Sequence, residues 1–365
     1  MKCKYFVIAL LHVLTRGESH DHHDHHEPEH EEYLTIERWN EIADQVNNHP
    51  DSTWKASKLH STTHDHFVDP KYRVGNSGAA VPQKSDADPV DRADQCEENG
   101  LPKQFDAREY WPDCASVIGH VYDQGACGSW WAVSATSVFA DRVCIASRGK
   151  IKTLFSIQQL MSCCQICSHG HGADGCHGGW TGGAFQYMIR NGLVTGGDHK
   201  SKQGCQPYLM QPCEHHKPAN SSSKSALPKC SSFPLGVPPK CKLHCYNHSY
   251  DKKFKQDVIK AEKYYRVPPC AAMNEIYKHG SILADFIIFE DFYTYKSGVY
   301  KQLAGEITAR HAVRVIGWGE ENGVPYWLAV NSWNTNWGIN GTFKIMRYEN
   351  EFSFENGLSA VMPKL

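Results

Sequence analysis

A helix that must be covered over its whole surface organises this chain. Residues 130–147 are mostly apolar or small, the texture of a helix at the centre of a domain. The stretch leading into it, Asp123-Gln124-Gly125-Ala126-Cys127-Gly128-Ser129-Trp130-Trp131-Ala132, puts Ser129 where an N-cap belongs. Such a helix needs other elements to bury it. Ser156-Ile157-Gln158-Gln159 reads as a capping box that opens a short helix into Cys163. Residues 183–190 read as another, ending near Gly192. Later the texture turns to strands. Residues 282–289 are apolar and β-branched, and His311, Val313 and Val315 alternate with Ala312 and Arg314. Asn322-Gly323 signals a hairpin, with 326–330 as the returning strand, which brings His311 and Asn331 roughly opposite each other near the open end.

The 365 residues suffice for one large two-lobed domain and an N-terminal extension. A net charge of −2 gives no reason to expect a nucleic-acid partner. Fifteen cysteines point to an oxidising compartment. The N-terminus agrees. Lys2 and Lys4 precede an apolar run at 5–14 and then Thr15-Arg16-Gly17, the layout of a signal peptide over residues 1–17. That run is too short to span a bilayer, and no later run is long enough, so no membrane span is expected. Sequons at Asn220, Asn247 and Asn340 fit a secretory route.

Residues 18–32 are rich in His and acidic residues and read as a disordered, solvated tail, with loose metal binding or pH sensing as the functional alternative. Residues 33–100 read as a propeptide and linker. Ile36, Trp39, Ala43 and Val46 fall on one face of a short helix that begins after Thr35 and ends by Pro50, and 75–98 is rich in Gly, Pro, Ser, Asp and Ala.

The 123–132 stretch resembles the nucleophile segment of papain-family cysteine peptidases, with Trp130 where that family has its cysteine. Thr53-Trp54-Lys55-Ala56 resembles part of a cathepsin B propeptide, and 101–109 the start of a mature cathepsin B. The resemblance runs on to about Pro363. It implies an α+β, papain-like fold over 101–365, with a helical lobe against a β-barrel lobe, a cleft between them and an occluding loop at 205–245. It implies His311 as general base, Asn331 as the group that orients it, and Gln124 as an oxyanion-hole donor. Gly178 and Gly179 become the backbone that pairs with an extended peptide. His215 and His216 become the pair that holds a substrate's C-terminal carboxylate, with Asp123 as the acidic partner of the first. It further implies the disulfides Cys114–Cys144, Cys127–Cys176, Cys163–Cys241, Cys164–Cys167, Cys205–Cys245 and Cys213–Cys230. Cys3 goes with the signal peptide, and Cys96 and Cys270 are left to pair with each other if the propeptide stays attached. No metal or cofactor is called for, a zinc site at the two histidines being the alternative, and nothing sets the oligomeric state.

The departures gather around the cleft. An indole offers one N–H and no acidic thiol, so Trp130 cannot attack a carbonyl. Leu227 and Asn336 stand where an Arg–Asp bridge clamps the occluding loop in cathepsin B. Gly357 stands at the substrate-pocket position expected to be acidic, Phe352 at a free cysteine, and Arg310 before the base, where it is expected to repel a histidinium. Three readings follow. The first is a secreted or endolysosomal cathepsin B-like pseudoprotease that binds peptides or protease inhibitors, the cystatin type among them. The second is an active endopeptidase or dipeptidyl carboxypeptidase whose Trp130 is a sequence artefact, because Cys and Trp codons can differ by one base. The third is a metal-binding or storage protein that uses the His-rich tail.

Overall fold

The computed structural model describes residues 36–58, 100–167, 175–215, 227–348 and 353–365. They fall within one unit, Leu34–Leu365. In chain order the main elements are α1 (Ile36–Asn48), β1 (Trp54–Ala56), β2 (Phe105–Asp106), α2 (Trp130–Ala146), α3 (Ile157–Cys163), α4 (Thr181–Arg190), β3 (Lys260–Arg266), α5 (Ala272–His279), β4 (Ile282–Phe289), β5 (Tyr295–Tyr300), β6 (Ile307–Glu321), β7 (Val324–Val330), β8 (Thr342–Met346) and β9 (Leu358–Lys364). The expected signal peptide at 1–17, the His-rich segment at 18–32, the expected linker at 75–98, His216, Asn220 and Phe352 lie outside the described residues.

Helix α2 is buried from Trp130 through Cys144, including Asp141 and Arg142. Its two charges are paired across to the sheet side. Asp141 meets Arg314 of β6 at 2.8 Å and accepts from Ser281 Oγ at 2.6 Å, while Arg142 meets Glu275 of α5 at 2.9 Å. Buried ions need such partners because each has given up its hydration. Ser129 occupies the N-cap position without capping through its side chain. Its Oγ lies 2.7 Å from the Tyr208 hydroxyl, and its carbonyl accepts from Ala132 and Val133 N–H. The capping box at α3 is half made. Ser156 Oγ accepts from Gln159 N–H, but the Gln159 amide turns away to hold Gly192 O and Val194 N–H.

The strands form one sheet in the order β1-β5-β8-β7-β6-β4-β9-β3, antiparallel except for β5 with β8, and β2 pairs β6 at the side. The expected barrel is corrected here. The edge strands β1 and β3 do not pair, so the sheet stays open. Fifteen-residue β6 pairs β4 along residues 307–315 and β7 along 314–321, with a bulge between Val315 and Gly317. A bulge bends and twists a strand, which curls this sheet without closing it. Residues 311–319 of β6 are buried on both faces, not the alternating pattern of a half-exposed strand. At the hairpin, Asn322 and Gly323 have φ of 52° and 81°, the left-handed pair that a two-residue primed turn requires.

The N-terminal segment adds the outermost strand. β1 pairs β5, matching Trp54 with Gly298, and the Trp54 indole donates to Lys301 O at 2.8 Å. Trp39, Ile42, Ala43 and Val46 of α1 are buried. Arg38 reaches Glu290 at 2.9 Å, and the Trp39 ring sits edge-on to Tyr293 at 5.1 Å. Six bridges staple the remainder: Cys114–Cys144, Cys127–Cys176, Cys163–Cys241, Cys164–Cys167, Cys205–Cys245 and Cys213–Cys230, the pairs the resemblance implies. Cys270 is also disulfide-bonded, to a partner outside the described residues.

Candidate active site

The first residue of α2 and the middle of β6 meet at the floor between helices and sheet. Trp130 is buried, and its ring centroid lies 6.0 Å from that of His311 at an interplanar angle of 65°. His311 is fully buried. Its ring stacks on Trp333 at 5.1 Å and lies 6.0 Å from Phe286. Nε2 of His311 is 2.8 Å from Asn331 Oδ1. Since that amide oxygen can only accept, the neutral ring carries its proton on Nε2. Nδ1 is buried and has no hydrogen-bond partner among the described residues. Burial pushes the imidazole pKa down to about 4, against a smaller opposing effect of the Asn331 hydrogen bond.

The two residues come together just past the Arg314–Val330 pair, at the open end of the β6–β7 hairpin. His311 is in register with Phe286 of β4, and Asn331 follows the end of β7, with its N–H on Gly341 O at 2.9 Å. Asn331 Oδ1 also accepts from Ser332 N–H, which fixes the amide plane.

Gln124 is fully buried and engaged at every polar atom of its side chain. Nε2 donates to Cys127 O at 2.8 Å and Oε1 accepts from Ser332 Oγ at 2.6 Å. Gly178 and Gly179 are buried beside the head of α2. Gly178 has φ of 86° and its N–H donates to Gly128 O. A Cβ on Gly179 would come within 2.5 Å of the Trp131 ring, so only glycine fits against that indole.

His215 lies in the 205–245 loop. It is buried, with Nε2 2.7 Å from Asp123 Oδ1. Asp123 also accepts from Gly125, Cys213 and Asn334. Sγ of Cys213, Sγ of Cys230 and a ring nitrogen of His215 lie within 4.8 Å of one another, but both sulfurs are spent on their mutual disulfide and cannot serve as thiolate ligands. The loop has a further tie where the clamp was expected to be missing: Asn336 Nδ2 donates to Glu214 Oε2 at 3.2 Å.

Gly357 packs onto strand β4. A Cβ there would sit 1.8 Å from Asp285 O, so no side chain fits that backbone. Asp285 is the residue that sequence reasoning missed. Its carboxylate pairs with Arg310 at 2.6 Å and lies 3.5 Å from Thr181 Oγ1 at the start of α4. Burial pushes the Asp285 carboxyl up, opposed by Arg310. The expected repulsion between Arg310 and a histidinium is corrected by this pair. The guanidinium is neutralised locally, and the depressed His311 pKa comes from desolvation. One acid inside the apolar run 282–289, facing a cation 25 residues later, was the only signal available.

Comparison with known proteins fits this geometry. Residues 101–362 match the model of the family described as papain family cysteine protease. The chain is 35% identical to cathepsin B-like cysteine proteinase 4 of Caenorhabditis elegans over 364 residues, 99% of this chain and 100% of that protein. It is 40% identical over 270 residues to cathepsin B-like cysteine proteinase 1 of Ostertagia ostertagi, covering 73% and 75%. Among solved structures, procathepsin B S9 from Trypanosoma congolense superposes with a TM-score of 0.70 at 30% identity, covering 89% of this chain and 98% of that one.

Proposed function

Because the chain belongs to the papain family of cysteine proteases and is cathepsin B-like, we propose that it is a pseudoprotease: a homologue that binds extended peptides or protease inhibitors in or near the cleft and does not cut them. One observation carries this reading. The residue at the head of the central helix, next to His311, is a buried tryptophan. Papain-type cleavage needs a thiol whose proton moves to the histidine, and the helix N-terminus and the imidazolium then stabilise the thiolate. An indole has neither the acidic proton nor the attacking lone pair. His311 is poorly placed for the other half of the pair, since a group with a pKa of about 4 stays neutral even in an acidic lumen.

On this reading residues 1–17 are a signal peptide, 33–100 a propeptide and linker, and the site of action is the extracellular space or the endolysosomal lumen. The α1 and β1 contacts with β5 and residues 290–293 support a propeptide docked on the sheet. The Cys213–Cys230 loop, anchored on Asp123, keeps a polar wall beside the cleft for binding a peptide end.

The test is labelling of folded protein with a thiol-directed epoxide or vinyl sulfone, beside the Trp130→Cys variant. No label and no peptide turnover in the natural chain are expected. Modification of a cleft residue together with turnover would overturn the proposal.

A further inference from the structure

Three sequons pass through a chain that has to reach an oligosaccharide-bearing lumen if the secretory reading above is right, and the fold treats them differently. Asn220 lies outside the described residues. At Asn247 the side-chain amide is structural. Both Nδ2 hydrogens are committed, to Lys202 O at 2.7 Å and Gly204 O at 2.9 Å, and Oδ1 accepts from Ser249 N–H, the third residue of the sequon. The backbone N–H groups of Tyr246 and Asn247 both donate to Cys205 O, beside the Cys205–Cys245 bridge. The amide thus fastens the 202–204 loop to the 245–249 loop.

Asn340 is the opposite case. Asn340 and Gly341 are the central residues of a tight turn closed by Ile339 and Thr342, whose N–H and C=O groups bond to each other. Both have left-handed backbones, with φ of 52° and 82°. Asn is among the few side-chain residues that accept this conformation readily. Asn340 is exposed, and its amide has no hydrogen-bond partner among the described residues. Gly341 is held down, since a Cβ there would meet Val121 at 2.5 Å, and Thr342 is buried with its hydroxyl on Ile339 O. The turn therefore presents one free amide to solvent on a fixed base.

We infer that Asn340 is an N-glycosylation site of this protein and that Asn247 is left bare. The transfer joins Nδ2 to the anomeric carbon of a lipid diphosphate-linked oligosaccharide. The bond from that carbon to phosphate breaks, lipid diphosphate leaves, and the nitrogen loses one proton. Enzymes of the lumen act on the chain before it folds, so selection falls on which product folds. A glycan at position 340 replaces a hydrogen that nothing in the fold uses. One at position 247 replaces a hydrogen that holds two loops together and must fit a sugar where a carbonyl now sits.

The experiment expresses the full chain in a eukaryotic secretory host and purifies the exported protein. The glycans are then released in heavy-oxygen water with an amidase that converts each glycosylated Asn to a labelled acid. Peptide mapping should show most molecules labelled at position 340 and none at 247. Asn340→Asp, which keeps the left-handed preference, should gain one glycan's worth of gel mobility with an unchanged melting temperature. Asn247→Asp should leave mobility unchanged and lower the melting temperature. An exported protein bare at position 340, or labelled at 247, overturns the inference. If the chain's own N-terminus fails to direct export, the secretory reading fails separately, and a host signal peptide in place of residues 1–17 still puts position 340 to the test.

Discussion

The frame around the central helix and the floor at its first turn follow opposite rules. In the frame, every buried charge on the helix has its counterpart: Asp141 has Arg314 and Ser281, and Arg142 has Glu275 together with the carbonyls of Gly280 and Ser281. At the floor, fully buried His311 Nδ1 and Asn331 Nδ2 lack partners among the described residues, and aromatic rings close around them. A frame whose buried charges are paired fixes a geometry. On the proposed reading, a floor that leaves His311 Nδ1 unpaired keeps the shape of a reactive site without its reagent. His311, Asn331 and Gln124 are explained in this fold by packing and by hydrogen bonds to Ser332 and Cys127, whether or not a peptide is ever cut.

The largest expected effect comes from giving the floor its reagent. Loss of a nucleophile lowers turnover on the order of 10⁶-fold in a triad enzyme, so Trp130→Cys has that much to regain. The variant should show weak but measurable endopeptidase activity, read as kcat/KM on peptides with Arg or Phe at the second residue before the cleaved bond. Preference for Arg should be small, because Gly357 carries no acid and Asp285 is already paired with Arg310. A folded but silent variant would place Gln124 and His311 with the frame, as packing groups only.

In the frame, removing one member of a buried pair strands the other. Arg142→Ala leaves the Glu275 carboxylate without its cation and should lower unfolding free energy by about 3–5 kcal/mol. Denaturant melts measure it, and a loss under about 1 kcal/mol would mean that the pair is relaxed by solvent.

What could be read from the sequence follows the range of each signal. The start of α2 at Trp130, the strand at 282–289 and the Asn322-Gly323 turn are local, and the structure has them. The cysteine pairs came from resemblance, since spacing cannot choose among connectivities. Among side chains, the misses are long-range choices by polar groups. Ser129 Oγ goes to Tyr208, the Gln159 amide to the 192–194 loop, and Asp285 to Arg310. Whether a curled sheet closes depends on edge strands far apart in sequence, and here β1 and β3 stay apart.

The floor should also betray itself in acid. The folded pKa of His311 is lowered to about 4, against about 6.5 for a free imidazole. The unfolded chain therefore binds the extra proton between those values. The stability tied to a neutral His311 is whole above about 6.5 and is lost as pH falls towards 4. At pH 4.5 the deficit amounts to about 2 to 3 kcal/mol, at 1.36 kcal/mol per unit. His311→Gln keeps a donor for Asn331 and does not titrate. The drop in unfolding free energy from pH 7.5 to 4.5 should thus be smaller in the variant by about that amount. Equal drops would mean that His311 is protonated in the folded state and that the floor is wetter than its packing implies.

The smallest effect separates the two ties of the 205–245 loop. Asn334 Nδ2 donates to Asp123 Oδ2 at 3.1 Å and to Cys213 O at 3.0 Å, with the residue nearly buried at φ of 55°. Asn336 Nδ2 donates at the surface to Glu214 Oε2 at 3.2 Å. Removing a buried donor leaves acceptors desolvated and unmatched, at about 1–3 kcal/mol, and a left-handed backbone disfavours alanine further. At the surface, water replaces the lost amide. Asn334→Ala should therefore lower stability by about 2 kcal/mol or more, and Asn336→Ala by less than about 0.5 kcal/mol. Amide hydrogen exchange at Cys213 and Glu214 gives the local reading. Fast exchange there in Asn334→Ala, and no change in Asn336→Ala, would put the loop's anchor at Asp123. The reverse order would move it to the exposed Glu214 tie, and the loop would then be free to swing off the cleft.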